Sequence, residues 1–261
     1  MSQPSTIGSI NLLPEGKKRE VYCALVPREL IERFSLPPDF VDAAGRSLIR
    51  SNWEAGSPSA ELALFHEAGF PDPILYGHLT DTLNGQIHIL LYILNDPGAQ
   101  RFDVDRMPDG RSTKFGTLMR NLEAEQAALR AGLAPGQVRH GLRLLGAALK
   151  AFEDFVEDLG HDIYFIEPLY YHNAVIFERY GFAYQQGRKL MEDIQAGFSS
   201  DGRFIRLLDG SPFRSRQAEN SIRLRSWAIH DGILGRPFTN VTMYKRTRKS
   251  AGVSTTATSK W

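Results

Sequence analysis

Cysteine is almost absent from this chain, since Cys23 is the single one among 261 residues. One cysteine cannot form an intramolecular disulfide, and such sparse use is typical of a reducing compartment. The longest apolar run, Ile87–Leu94, is too short to cross a bilayer. The first residues lack the basic-then-apolar order of a secretion signal. We therefore expect a cytoplasmic protein without a membrane partner.

Familiar catalytic and binding signatures are also missing. The chain has no G-x-S-x-G elbow, no CxxC or HExxH metal spacing, no complete P-loop and no dinucleotide fingerprint. Its net charge is +1, and its aromatic residues are not interleaved with basic ones. Neither property favours a nucleic-acid partner. We expect no metal site, and the 42% apolar and 23% charged composition is that of a globular protein.

The length of the chain and the lack of internal linkers favour one domain. Residues 1–19 and 248–261 are polar and rich in small residues, which predicts a flexible arm and a flexible tail. The intervening residues 20–247 contain no long linker and no repeat. Two small domains have the same total size, but a single domain is the expectation. The oligomeric state, a homodimer included, stays open.

The first third of this domain contains several element signals. Glu20–Val26 alternates and predicts a strand. Pro27 predicts a helix start, and Ser59 predicts a capped helix that reaches Ala68. These predictions depend on local patterns only.

A hairpin is indicated further on. Two strand-like runs, Ile74–Thr82 and Gln86–Leu94, flank Asn84-Gly85, a pair typical of a two-residue turn. The second run is apolar on both faces, which predicts a central strand covered on both sides. A two-residue turn places Asp81 opposite His88. That pair is a candidate general base, or a structural polar pair at the end of the sheet.

Helix and strand signals alternate through the rest of the chain. The predicted elements are a strand at 101–106, helices at 117–131 and 137–159, a strand at 163–166, a helix at 170–180, a strand at 182–185, helices at 188–196 and 218–230, and a strand at 241–244. This order predicts an α/β domain with a mixed sheet.

The most specific segment is Tyr170–Phe182, which reads YYHNAVIFERYGF. It follows the strand at Ile163–Ile166 and a break at Glu167-Pro168. It is similar to the last helix of the GCN5-related N-acetyltransferase (GNAT) superfamily, where phrases such as YEKLGF are common. The resemblance implies a mixed, mostly antiparallel central sheet flanked by helices, with helical insertions. It also implies direct transfer of an acyl group, in the simplest case acetyl, from acyl-CoA to an amine of a small-molecule acceptor, with the pantetheine arm between two splayed strands.

Within that resemblance, Met107–Met119 is the favoured loop for the donor pyrophosphate. Its arginine and glycine match the family spacing RxxGxG/A, although Lys114 stands where the family prefers glycine. The candidate donor-binding residues are Arg111, Ser112, Thr113, Lys114, Phe115, Gly116 and Thr117. The alternative is a surface turn that caps a helix. A second loop, Pro135–Leu142, lacks the spacing but opens the helix before the strand at 163–166, where the family places its cofactor helix, so the choice of helix stays open.

The same resemblance suggests catalytic residues. Phe177 falls at the position of the family's tyrosine acid and cannot donate a proton, so we assign it to the donor site. Tyr170 is then the candidate acid, unless water protonates the thiolate; packing is the alternative role for both aromatic residues. Glu167, at a strand end, and His88 are the candidate bases. Glu125 follows the favoured loop, and its default interpretation is a solvated charge.

Residues 186–240 are a candidate insertion for acceptor recognition. They include several arginines, which favour a carboxylate- or phosphate-bearing acceptor, although solvated helix faces explain them too. Two other functions stay open: a catalytically silent module that binds CoA, another phosphate ligand or a protein, and a hydrolase or ligase of unrelated α/β type.

Overall fold

The computed structural model describes residues 4–256 and 260–261. Its α-helices are α1 (Ile7–Asn11), α2 (Glu15–Cys23), α3 (Arg28–Arg33), α4 (Leu122–Arg130), α5 (Leu145–Asp158), α6 (Tyr171–Arg179), α7 (Arg188–Gly197) and α8 (Ile222–His230). Its strands are β1 (Ile49–Asn52), β2 (Ser59–Leu64), β3 (Leu75–Asp81), β4 (Ile87–Leu94), β5 (Ile163–Ile166), β6 (Ala183–Gln186) and β7 (Thr242–Arg246).

The strands form a sheet in the order β1-β2-β3-β4-β5-β7-β6. Strands β1 to β4 pair antiparallel in succession, and β4 pairs parallel with β5. The protein therefore has an α/β fold with a mixed, mostly antiparallel sheet, as the sequence predicts. Strand β4 is the central strand of this order, as predicted, but only Ile87 and Ile89 of its side chains are buried.

The described residues form two compact units. The first unit comprises residues 4–98, Gly141–Glu167 and Tyr244–Ser250. The second comprises Ala99–His140, Pro168–Met243 and the described residues from Ala251 onward. Each unit buries large apolar side chains of its own, such as Tyr22 and Phe155 in the first and Trp227 in the second.

The first unit begins with helices where the sequence predicts a flexible arm. Residues 1–3 lie outside the described residues, but Ile7 and Ile10 of α1 are fully buried. Asp81 holds the start of this helix, because its two carboxylate oxygens accept hydrogen bonds from the backbone N–H groups of Ile7 (2.7 Å) and Gly8 (2.9 Å). A carboxylate at a helix N-terminus stabilises the helix by satisfying free donors and by opposing the helix dipole. This partner is distant in sequence, so no local pattern reveals it.

Two predictions of element type in this unit are wrong. Residues 20–23, predicted as the start of a strand, belong to α2, with Tyr22 stacked on Trp53 at a centroid distance of 4.9 Å. Residues 59–64, predicted as part of a helix, form β2, whose burial alternates along the chain. Alternating burial is the period of a strand, and pairing with two neighbouring strands outweighs the local capping signal of Ser59. The helix predicted after Pro27 is confirmed as α3.

The predicted hairpin is confirmed as β3 and β4, but its loop is longer than predicted. The N–H of Thr82 donates to the carbonyl of Gln86 at 2.8 Å, so residues 83–85 form a three-residue loop. Gly85 has φ +75°, which suits the left-handed position that ends such a loop.

The longer loop changes the pairing of the two strands. Asp81 lies opposite Ile87, and Thr80 lies opposite His88. Because side chains alternate across a strand, Asp81 and His88 point to opposite faces of the sheet. The predicted Asp81–His88 pair is therefore wrong, and Asp81 instead caps α1.

The second unit packs around Trp227, whose indole N–H donates to the carbonyl of Leu133 at 2.8 Å. The surrounding buried residues are Phe102, Val104, Ala128, Leu133, Val138 and Phe213. The strand predicted at 101–106 is wrong, because the structure has a loop there that contributes its apolar side chains to this core.

Two predicted helices begin later than expected. Helix α4 begins at Leu122 because the Asn121 side chain accepts a hydrogen bond from the N–H of Ala124. Helix α5, in the first unit, begins at Leu145 rather than at Gln137. The predictions for β5, α6, β6, α7, α8 and β7 are confirmed to within a few residues.

The predicted flexible tail is bound in its described part. The N–H and hydroxyl of Thr255 donate to the Glu178 carboxylate at 3.0 and 2.7 Å. Residues 257–259 lie outside the described residues, and Lys260 bridges to Ser221. The carboxylate that accepts the Thr255 hydrogen bonds belongs to Glu178, which is distant in sequence. The composition of the tail alone therefore could not predict these contacts.

Candidate functional sites

His88 and Glu167 come together in the first unit. His88 lies on β4, its Nε2 is buried without a hydrogen-bond partner among the described residues, and its ring contacts Phe165 at a centroid distance of 6.4 Å. Burial lowers the pKa of this imidazole, and the negative charge of Glu167 opposes that shift. An imidazole that is neutral near pH 7 can accept a proton. Glu167 is exposed directly after β5, so the two candidate bases share one region.

The parallel strands β4 and β5 pair only briefly. Their register contains two residue pairs, His88 with Phe165 and Ile89 with Ile166. Strand β4 continues to Leu94, whereas β5 ends at Ile166. Within the described residues, no strand pairs with this edge of β4 after Ile89.

Helix α5 begins with a sequence that is not among the predicted site residues. Residues Arg143–Ala148 read RLLGAA, which has the spacing RxxGxA, and the helix directly precedes β5. Arg143 is exposed with φ +60°, and no side chain in the described part of the chain caps the helix. The first-turn N–H groups of a helix have no partner within it. The spacing was available as a signal, but a helix predicted from Gln137 hides it in a helix interior.

The favoured loop, Arg111–Thr117, lies in the second unit and does not begin a helix. The N–H of Gly116 donates to the carbonyl of Thr113 at 3.1 Å and to its hydroxyl at 3.2 Å. Arg111 is exposed and forms an ion pair with Asp109 at 2.7 Å. The helix start predicted at Thr117 is therefore wrong, and the Gly116 N–H already has acceptors within the loop.

The same loop has an unusual backbone. Lys114, Phe115 and Gly116 have φ values of +52°, +56° and +83°, and the left-handed region is unfavourable for residues other than glycine. A Cβ atom on Gly116 would lie 2.8 Å from the His230 ring. The loop therefore packs against the His230 ring at Gly116.

The two aromatic candidates of α6 are buried in the second unit. The hydroxyl of Tyr170 donates to the carbonyl of Phe115, and burial raises the pKa of this phenol above its ordinary value. Its proton is therefore engaged in a structural hydrogen bond. Phe177 packs on Phe182 at a centroid distance of 5.2 Å. The contacts of both residues are those of the packing alternative.

A buried charge network lies in the second unit. His230 Nε2 and Glu125 Oε1 are 2.9 Å apart, and Arg120 donates to Glu125 Oε2 at 2.6 and 2.8 Å. Asp231 accepts from Arg120 at 2.9 Å and from Arg214 at 2.8 Å. Burial alone would raise the pKa of Glu125, but the hydrogen bonds from His230 and Arg120 hold it below its usual value. The ionised Glu125 orients the His230 imidazole through Nε2, so Nδ1 of the same ring can bind another partner.

A cavity of about 580 Å³ adjoins this network, and we call it the His230 cavity. Its polar wall includes Ser226, His230 and Arg236. Its apolar and aromatic wall contains Leu169, Tyr170, Tyr171, Ile229, Pro237 and Phe238. A mainly apolar cavity with a few polar groups is typical of small-molecule sites.

No protein-family model, curated protein or solved structure matches this chain. Within residues 4–256 and 260–261, no cluster of three or more His, Cys, Asp or Glu side chains could hold a metal ion. None of the described helices combines the length and apolar character needed to span a bilayer. The geometry of the sites is therefore the basis for a functional argument.

Ser226 and His172 resemble a nucleophile–base pair but have the wrong tautomer. Asn173 Oδ1 accepts from the N–H of Tyr170 at 3.2 Å, which orients the Asn173 amide so that Nδ2 donates to His172 Nε2 at 3.3 Å. Neutral His172 must then carry its proton on Nδ1, which donates to Ser226 Oγ at 2.9 Å. A histidine that donates to the serine cannot accept its proton, so this pair gives no support to the hydrolase alternative.

The predicted arginine cluster is largely structural. Arg225 is buried and donates to the carbonyl of Ala218 at 2.9 Å, and Arg223 donates to the carbonyl of Leu129 at 3.2 Å. Arg236 differs, because it is exposed, lines the His230 cavity and has no ion-pair partner among the described residues. Among these three arginines, Arg236 is therefore the one available to a ligand.

Proposed function

We propose that this protein is a divergent GNAT-type acyltransferase that moves an acyl group from acyl-CoA to an amine. The observation that carries the proposal is the RLLGAA sequence of Arg143–Ala148 at the uncapped start of α5. A helix N-terminus carries partial positive charge, Arg143 adds a full one, and Gly146 permits close approach of the backbone. We assign the donor pyrophosphate to this segment rather than to Arg111–Thr117.

The open edge of β4 supports the same donor position. It belongs to the same unit as α5, and it becomes available where β5 ends at Ile166. The pantetheine arm carries amide groups, which can hydrogen-bond to unpaired strand backbone as an added strand does. The resemblance implies such a pair of splayed strands, and the two-residue register of β4 with β5 agrees with it.

His88 and Glu167 then have a chemical role. The acceptor must attack the thioester carbonyl as a neutral amine, so a nearby base has to remove its proton. Neutral His88 can accept that proton, and Glu167 stabilises the resulting imidazolium electrostatically. The thioester C–S bond breaks as the amide bond forms, and the thiolate takes its proton from the imidazolium or from water. The engaged hydroxyl of Tyr170 is not assigned the acid role.

A catalytically silent module is the second candidate, and one observation favours it. Phe177, at the position of the family's acid, is 9% exposed and packs on Phe182, so α6 offers no donor at that position. Such a protein would bind CoA, another phosphate ligand or a protein without turnover. Formation of an acylated product would eliminate this candidate.

A thermal-shift and calorimetric titration with CoA, acetyl-CoA and longer acyl-CoAs tests the donor assignment. Ligand at about a hundred times its Kd stabilises a fold by about 2.7 kcal/mol, so binding gives a clear, saturable shift. An amine panel with thiol release as readout then separates the enzyme from the silent module. Folded protein that shows no shift with any of these ligands would contradict the acyltransferase and would leave the silent module only its other phosphate ligands or a protein partner.

A further inference from the structure

The His230 cavity has one uncompensated charge among the residues that line it. Glu125 and Asp231 are neutralised by Arg120 and Arg214 within their own network. No aspartate or glutamate lines the cavity in the described part of the chain, whereas Arg236 does. A ligand with a single negative charge would balance this guanidinium, and an ammonium ligand would meet no lining carboxylate.

The rest of the wall favours an apolar ligand body. Phe238 and Ile229 line the cavity, and Tyr171 stands edge-on to Phe238 at a centroid distance of 6.4 Å. Tyr171 is fully buried, so its ring is a fixed part of this wall. Removal of apolar ligand surface from water against such a wall is favourable.

We propose that the His230 cavity binds a small organic monocarboxylate with an apolar or aromatic body. Its carboxylate lies on the Arg236 guanidinium, which suits bidentate recognition, and its body lies against Phe238 and Ile229. This site belongs to the second unit alone and does not depend on the proposed acyl-donor function. His230, held by Glu125, forms a fixed polar wall beside the ligand.

The test compares three probes of similar shape with the intact protein. Phenylacetate carries a carboxylate, phenylacetamide is neutral and phenethylamine is cationic. Calorimetry and saturation-transfer NMR should show phenylacetate binding at least about tenfold more tightly than phenylacetamide, as a charge-assisted contact requires, with phenethylamine the weakest. Equal affinity of the first two probes, or no phenylacetate binding at millimolar concentration, would overturn the proposal.

Variants locate the site. Arg236→Gln should reduce phenylacetate affinity to that of the amide, whereas Arg216→Gln, another exposed arginine of this unit outside the cavity wall, should leave it unchanged. Both positions are exposed, so neither variant threatens folding. An Arg236→Gln protein with wild-type affinity would remove the carboxylate contact from the proposal.

A further variant separates this cavity from a smaller one of about 200 Å³ that also contains Arg236. Leu169 is exposed and lines only the larger cavity, so Leu169→Asp should repel phenylacetate held there. Unchanged binding would overturn the assignment to the larger cavity. Arg143→Glu should leave phenylacetate binding intact even where it abolishes CoA binding, so failure of one proposal is distinguishable from failure of the other.

Discussion

His230 and Glu125 are 105 residues apart in the chain, and His230 Nε2 lies 2.9 Å from Glu125 Oε1. Both side chains are nearly inaccessible to solvent, at 7% and 2% exposure. The pair connects the end of α8 to α4, and Arg120 extends it to Asp231. The second unit thus contains a buried polar network in which each charge has a partner, and such networks are strongly destabilised when one member is removed.

Replacing Glu125 should therefore destabilise the fold markedly. Glu125→Gln removes the charge that compensates Arg120, and we expect the free energy of unfolding to fall by about 3 kcal/mol. Urea unfolding followed by circular dichroism measures this loss. Glu123→Gln, an exposed position of the same helix, is the matched control and should change stability by less than about 0.5 kcal/mol. Similar losses in the two variants would contradict the importance of the network.

His172 predicts a pH dependence. Burial, with a smaller contribution from His230, lowers its pKa to about 3 from the ordinary 6.5. Between these values the unfolded chain binds one more proton than the folded protein, so stability present above pH 6.5 is lost as the pH falls. The expected slope is about 1.4 kcal/mol per pH unit. Urea unfolding between pH 7 and pH 4 should show a shallower slope for His172→Gln, and parallel curves would refute this assignment.

Gly136 should tolerate no side chain. A Cβ atom there would lie 2.3 Å from the Tyr170 ring, and φ is +78°. Gly132 has a similar φ of +87°, and a Cβ atom there would have no atom of the described residues within 4 Å. Alanine at Gly132 should cost about 1 kcal/mol from backbone strain alone, whereas alanine at Gly136 adds an overpacking cost of about 1–3 kcal/mol. Thermal unfolding of the two variants isolates the ring contact; equal midpoints would argue against it.

Charge at the start of α5 should control CoA binding. Gly146→Asp places a carboxylate in the first helical turn, where it favours the helix itself but repels a pyrophosphate. We expect calorimetry to detect no CoA binding to this variant. Lys150→Asp makes a charge change further along the same helix at an exposed position and should reduce affinity only slightly. If Arg111→Glu is the variant that loses CoA instead, the donor site is at Arg111–Thr117.

Asp81 should control the stability of α1 against local unfolding. Asp81→Ala removes the acceptor for the N–H groups of Ile7 and Gly8, and loss of such a cap costs about 1–2 kcal/mol. Hydrogen exchange read by mass spectrometry should show faster exchange in peptides that cover residues 7–11. Exchange that stays as slow as in the wild type would mean that burial of Ile7 and Ile10 alone holds this helix.

Elements with their own local signals were predicted correctly from the sequence. The segment from β5 through α6 to β6 has an apolar run, a helix with a clear apolar face and a glycine that ends it, and the structure has each of these elements. In contrast, β2 was predicted as a helix because its Ser59 cap signal is local, whereas its pairing with β1 and β3 is not. Tertiary pairing overrides propensity in such segments.

The candidate sites were less predictable. His88 and Glu167 were selected for their chemistry, and the register of β4 with β5 brings them to one region. The Glu125–His230 pair could not be predicted, because no spacing connects two positions on different helices, and Glu125 was interpreted as a solvated charge. The start of α5 depends on the helix boundary, because a helix that begins at Gln137 hides the spacing of Arg143–Ala148 in its interior, whereas the structure begins the helix at Leu145.

The loop at residues 83–85 can change in length without changing the sheet. Leu83 is fully exposed, and Thr82 already pairs with Gln86 across the loop. Deleting Leu83 would therefore leave Asn84-Gly85 as a two-residue turn, and Ile87 and His88 would keep their faces of the sheet. A one-residue deletion inside β4 would instead exchange these faces, so evolution should accept a shorter turn here but not a shorter strand.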